Sequence, residues 1–159
     1  MVMSILSSAI IKSVNVIKVF NMQVFIVGTP FSTAIHLDKK RLNKQIIECH
    51  QILDTIYGKS KGWVNHPCTI QYKEFTVWLE WYTSCLSFYK NGAIAFAEFA
   101  SMKANEIKPE WHTQEYFDNM KKRLYTKNHE HYKQWESLGE SYENWYWIDN
   151  KWKIYKQNM

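Results

Sequence analysis

A mainly α-helical single domain is what this sequence predicts, and three observations carry the prediction. Apolar residues recur at steps of three and four, as in Leu42, Ile46, Cys49, Leu53 and Ile56, and again in Phe75, Trp78, Tyr82, Cys85 and Tyr89, the last run opened by Gln71. Helix start and stop signals bracket these stripes: Asp38 and Gly58 around the first, Pro67 and Asn91-Gly92 around the second. A length of 159 residues at 46% hydrophobic content suits one domain with a real core.

Residues 1–21, "MVMSILSSAIIKSVNVIKVFN", differ in kind from the rest. They are apolar and Ser-rich, and Lys12 divides the apolar stretch below membrane-spanning length. No basic start precedes them and no A-x-A site follows, so a signal peptide fits poorly. They read as an N-terminal extension upstream of a domain at 22–159, with Met22 as its natural start.

"MQVFIVGTPF" reads as a short extended segment ended by Gly28 and Pro30, after which Ser32 or Thr33 could cap a first helical turn. Asp38 caps the main helix, 39–57, and Gly58 stops it. "GKSKGWVNHP" is a loop. Pro67 then opens a long helix, 68–90, with Asn65 or His66 as its cap. A third helix spans 93–105, and Pro109 breaks the chain. Thr113 caps a fourth, 114–125, with a basic tail. The alternation in "NWYWIDNKWKIY" allows a small β-hairpin turning at Asp149-Asn150.

Composition narrows the function classes. Eight Trp, ten Tyr and eight Phe are too many for a small core alone, which places some rings at a surface or in a groove. The net charge of +5 permits a polyanionic partner without demanding one. Cys49, Cys68 and Cys85 are odd in number, form no C-x-x-C pair and sit among apolar neighbours. They read as reduced packing residues in a cytoplasmic protein. His129 and His131 flank Glu130, but no H-E-x-x-H or Cys/His zinc spacing occurs, so no metal is expected. Walker, G-x-G-x-x-G and G-x-S-x-G motifs are absent, and no cofactor is expected.

Two basic clusters point toward nucleic acid. Lys39, Lys40, Arg41 and Lys44 begin the main helix. Lys121, Lys122, Arg123, Lys127 and Lys133 lie further on, interleaved with Tyr125, Tyr132 and Trp135. Cations beside flat rings suit phosphates next to exposed bases; the plainer account is a solvated basic face over core aromatics. Arg41, Gln45 and Glu48 step by four and three along the edge of the main helix, where a guanidinium, an amide and a carboxylate meet the core.

The order of these motifs resembles the pyrimidine-dimer DNA glycosylases of the phage endonuclease V type, and more closely their bacterial and phage relatives of unproven activity. The matching stretches are "MQVFIV", "LDKKRLNKQIIE", "GWVNHP" and "KNHEHY", in the same order from Met22 to Tyr132. "RLNKQIIE" together with "GWVNHP" is the specific part. The chain departs from those relatives at "DNMK" (Asp118 to Lys121), where they carry a His-x-Ser-His stretch.

The resemblance implies a helical domain and an amine chemistry. A terminal α-amine, here that of Met22, attacks the sugar and forms an imine, while a Glu assists base loss and strand cleavage. Glu48 is the nearest carboxylate on the main helix, with Arg41 beside it. Lys44, Gln45, Trp63, Asn65, His66, Lys121, Arg123, Lys127, His131, Tyr132 and Trp135 are then the expected contacts to a damaged duplex with an extruded base. The rival is a non-catalytic protein on the same scaffold that holds a small nucleotide signal, as a phage protein would to blunt host defence. Arg41, Glu48, Trp63 and His66 would then grip phosphate and base.

Overall fold

In the computed structural model, which describes residues 22–156, a buried extended strand of chain runs through a cage of helices. The expectation for residues 1–21 lies outside the described residues. Six α-helices follow that extended segment: α1 Pro30–His36, α2 Lys39–Ile56, α3 Pro67–Tyr72, α4 Thr76–Lys90, α5 Ile94–Glu106 and α6 Gln114–Lys127. A 3-10 turn, Lys133–Leu138, leads to an antiparallel hairpin of β1 (Glu143–Ile148) and β2 (Lys151–Lys156). The mainly helical class with a small C-terminal hairpin is as expected. None of the described helices is long and apolar enough to cross a membrane.

Local chemistry sets most boundaries. The Asp38 carboxylate accepts the Arg41 N–H at 3.3 Å and caps α2, and Gly58 ends it at φ +79°. His66, not Asn65, caps α3, its Nδ1 accepting the Cys68 N–H at 2.9 Å ahead of Pro67. Asp149 and Asn150 turn the hairpin at φ 56° and 58°, the left-handed pair that a two-residue turn requires.

Two expectations are corrected. Thr29, rather than Ser32 or Thr33, caps α1, accepting the Ser32 N–H at 3.1 Å, while the Thr33 hydroxyl accepts the Val27 N–H at 3.0 Å. The single helix expected over 68–90 is two helices, broken at residues 73–75. The break lets each piece serve a different neighbour. α3 packs on β1, where Gln71 Oε1 accepts the Trp147 N–H at 2.6 Å, and α4 packs on α1, α2 and α5.

The surplus of tyrosines is explained by the extended segment. Gln23 to Ile26 are at most 1% exposed, yet they belong to no sheet. A buried backbone without a ladder needs other partners, and side chains supply them. Tyr146 donates to the Met22 carbonyl at 2.7 Å, Tyr116 to that of Val24 at 3.3 Å, and Tyr82 to that of Phe25. Gln45 accepts the Phe25 N–H at 2.5 Å and donates to the Gln23 carbonyl at 3.1 Å. Gln23 in turn pairs with β1: its amide accepts the Trp145 N–H and donates to the Trp145 carbonyl, both at 3.0 Å. Rings fill the remaining core, with Trp78 stacked between Tyr72 at 5.4 Å and Tyr82 at 5.0 Å.

Candidate functional site

Arg41, Lys44 and Glu48 share one face of α2, and Arg123 and Lys127 share one face of the last turns of α6. The two faces meet. Lys44 Nζ lies 3.8 Å from Glu48 Oε1. The charges of Lys44, Arg41 and Lys127 all act on the Glu48 carboxyl, and those of Arg123, Arg41 and Lys44 act on Lys127. Three cations thus act on one carboxylate, and Arg123 acts on one of the three.

Burial makes this cluster unusual. Desolvation raises the Glu48 carboxyl above the ordinary carboxylate range and outweighs the opposing pull of Lys44, Arg41 and Lys127. Lys127 is an exposed residue overall, but its ammonium end is desolvated. That desolvation, with Arg123, Arg41 and Lys44 beside it, pushes the group down to about 8. Arg123 is 1% exposed. Its Nη1 donates to the Ser141 carbonyl at 3.0 Å, while Nε and Nη2 have no hydrogen-bond partner among the described residues. Leaving the donors of a buried guanidinium unpaired is costly, so these two nitrogens are chemically suited to an anion.

Met22 is linked to the Glu48 corner through Cys68. It is buried, and its carbonyl accepts from Cys68 Sγ at 3.2 Å as well as from Tyr146. Cys68 in turn feels the Glu48 charge, which places the carboxylate and the start of the extended segment in the same corner. Burial raises all three thiols, and Cys49, Cys68 and Cys85 are free and buried as packing residues.

The structure gathers some of the expected site residues and disperses others. Arg41, Lys44, Glu48, Arg123, Lys127 and Met22 converge. Gln45 lies next to them but is 1% exposed, with its amide committed to the extended segment rather than open to a ligand. His66 is also buried, neutral down to about 4 because of desolvation, with Trp63 packed edge-on at 5.3 Å. Asn65 is exposed on the same turn. Lys121 projects from the far side of α6, 3.8 Å from Asp118. The basic run therefore divides around the helix and is not one patch.

The aromatic end forms a latch. Tyr132 is 1% exposed; its hydroxyl donates to the Asp38 carboxylate and accepts the Asp38 N–H at 3.0 Å. Trp135 stacks on it at 5.5 Å and 6°, and packs on His36 at 5.3 Å. His131 is exposed, its Nε2 2.9 Å from the His36 carbonyl. Cys68 and Tyr146 are site-forming residues that spacing alone does not single out, because each acts through a partner far away in the chain. Among the described residues, no group of three or more His, Cys, Asp or Glu side chains could hold a metal ion.

Comparison with known proteins agrees with the resemblance over the first part of the domain. The family model described as pyrimidine dimer DNA glycosylase matches residues 22–87. That span holds Met22, the whole of α2 and the turn before α3, and it ends within α4. No curated protein and no solved structure matches the chain.

Proposed function

We propose that this protein is a DNA glycosylase with abasic-site lyase activity that acts on damaged duplex DNA, carrying pyrimidine dimers or abasic sites. One observation carries the reading. A half-buried Glu48, its carboxyl raised by desolvation, lies 3.8 Å from Lys44 and feels the charges of Arg41 and Lys127 near the corner where Met22 is held. A carboxyl of raised pKa can give a proton to a leaving base or sugar oxygen and take one back. The cations hold the phosphates on either side, and the two unspent donors of Arg123 suit one phosphate deep in the site. The similarity of residues 22–87 to pyrimidine dimer DNA glycosylases supports the substrate class. In a chain that begins at Met22, the terminal amine would stand in this corner.

The test is strand cleavage of a duplex bearing one abasic site or one pyrimidine dimer, by the full chain and by its Glu48→Gln variant. Cleavage by the parent and its loss in the variant are expected. A folded parent that binds neither duplex and cleaves neither would sink the reading. Binding of a small nucleotide without cleavage, and with little salt dependence, would replace it with a sequestering role.

A further inference from the structure

We propose that this protein forms a two-fold homodimer through the outer face of the α4–α5 hairpin, anchored by Phe96 and Phe99. An inversion of side-chain size on α5 is the starting observation. The buried face of this helix carries only small residues, Ala97, Ala100, Ser101 and Ala104. They let α5 lie close against α4 and α1, its main neighbours, and the Ser101 hydroxyl accepts the Phe31 N–H at 2.9 Å. The large apolar residues lie on the other side. Phe96, Phe99 and Met102 follow at steps of three along the outer face, with Ile94 and Phe88 beside them, and these five are 37% to 64% exposed. A helix that is apolar on both faces belongs in an interior, and here one side is in water.

The rings form a connected surface rather than scattered exposures. Phe96 lies against Phe88 of α4 at 5.5 Å between centroids, and Phe99 meets Trp81 of α4 edge-on at 6.0 Å. At about 200 Å² for a whole aromatic residue, and a little less for Ile or Met, the five leave roughly 450–500 Å² of apolar surface in water. A standard interface covers about 800 Å² per partner, of which about 57–65% is apolar. The patch therefore has the size of the apolar centre of a stable dimer interface.

Its rim fits a second copy better than nucleic acid. Glu98 and Glu106 are exposed there and would repel phosphate. A two-fold interface sets a surface against itself, so its rim must supply both signs. Lys90 and Lys103 supply the other sign. Lys90 is exposed, and Lys103 reaches over the Phe99 ring at 5.5 Å with Glu106 at 3.9 Å. The same face offers a receptacle for a ring. A hollow of about 410 Å³ opens between α2 and α4, lined by His50, Leu53, Ser84 and Phe88 among others. Phe88 joins this hollow to the patch, so the projecting Phe96 of each copy has a pocket on the other, as an aromatic anchor requires. On α2, His50 and Leu53 lie about half a turn round from Glu48. The pairing thus leaves the Glu48 corner open.

The experiment is sedimentation equilibrium of the full chain. Interfaces of this size hold at micromolar concentration or tighter, so at roughly 50 µM the species is expected to have twice the 19.1 kDa of one chain. Phe96→Glu and Phe99→Glu each set a carboxylate in the centre of the interface, and each is expected to raise the dissociation constant at least roughly tenfold. Both rings are exposed, so each variant should keep the parent's circular dichroism. The parent's melting temperature should rise with protein concentration, and those of the variants should not. Should a glutamate variant unfold, Phe96→Ser carries the same expectation. Val64→Glu, at an exposed apolar residue outside the patch, should leave the dimer intact. A parent that stays monomeric at that concentration overturns the proposal. So does a dimer that the folded Phe96 and Phe99 variants leave unchanged, since it is then built on another surface, and so does equal loss of the dimer in Val64→Glu.

Discussion

The Tyr132 hydroxyl bonds the residue that caps the main helix: it donates to the Asp38 carboxylate and accepts the Asp38 N–H at 3.0 Å. Residues 94 positions apart are thereby joined at the helical turn that presents Arg41, whose charge Tyr132 feels. Tyr132→Phe is expected to lower stability by about 1.5–3 kcal/mol, the cost of a hydrogen bond to a charged group. Tyr132→Ala should cost about 3–5 kcal/mol through the lost ring. Urea titration of both variants checks this. A Tyr132→Ala protein of parental stability that has lost DNA affinity would instead mark the ring as a base-stacking group.

Glu48→Gln is expected to reduce strand cleavage by at least roughly a hundredfold, as for a lost acid–base group. Stability should behave differently. The folded-state carboxyl is raised above its unfolded value, so its contribution is most favourable below the unfolded value of 4.5 and is lost as pH rises through the folded one. The variant should therefore equal or exceed the parent in stability at pH 7, and the gap should close below about pH 4.5. Paired denaturation curves at pH 4 and pH 7 measure it.

Two histidines set an acid limit. Burial lowers His112 from 6.5 to about 3 and His66 from 6.5 to about 4, so both stay neutral in the fold. Their stabilising contribution is full above about pH 6.5 and falls as acidity protonates the unfolded chain, down to those folded values. His112→Gln is expected to flatten the loss of stability between pH 6.5 and pH 4. An unchanged pH slope in that variant would place the acid sensitivity elsewhere.

Gln45→Leu tests the extended segment. It strands the Phe25 N–H and one acceptor contact of the Gln23 carbonyl in a dry interior. Each orphaned group costs about 1–3 kcal/mol. A drop of about 2–5 kcal/mol in unfolding free energy is expected. A drop below 1 kcal/mol would mean that water reaches the segment.

Lys44→Ala probes the cationic wall. Loss of one phosphate contact should lower duplex affinity similarly for all sequences and reduce the salt slope by about one. Titrations at several salt concentrations read both quantities. Lys121→Ala should do neither, because Lys121 faces away from the cluster toward Asp118 at 3.8 Å.

What could be read from the sequence was local. Asp38, Gly58, Pro67 and the Asp149-Asn150 turn act on neighbours within four residues, and their chemistry is visible at that range. The break at residues 73–75 was hidden because Gln71 and Phe75 keep the helical spacing across it. The demand that splits the helix comes from Trp147, 76 positions away from Gln71. Gln45 looked like an edge residue for the same reason, since its partners lie on a segment with no periodicity of its own. In the site, the α2 residues were legible as one face. The division of Lys121 from Arg123 and Lys127 follows from helix geometry, which a run of adjacent letters conceals.

The sheath of tyrosines around residues 22–27 also sets an order of events at birth. The segment is synthesised well before the groups that satisfy it: Tyr82 lies 57 residues downstream of its partner, Tyr116 lies 92 and Tyr146 lies 124. Until the hairpin is synthesised, an apolar thread with unmet carbonyls must wait among half-built helices. Contacts of such long sequence separation slow folding relative to an ordinary helical bundle. A truncation that removes the hairpin would take Tyr146 from the Met22 carbonyl, 124 positions away, and loosen the start of the thread.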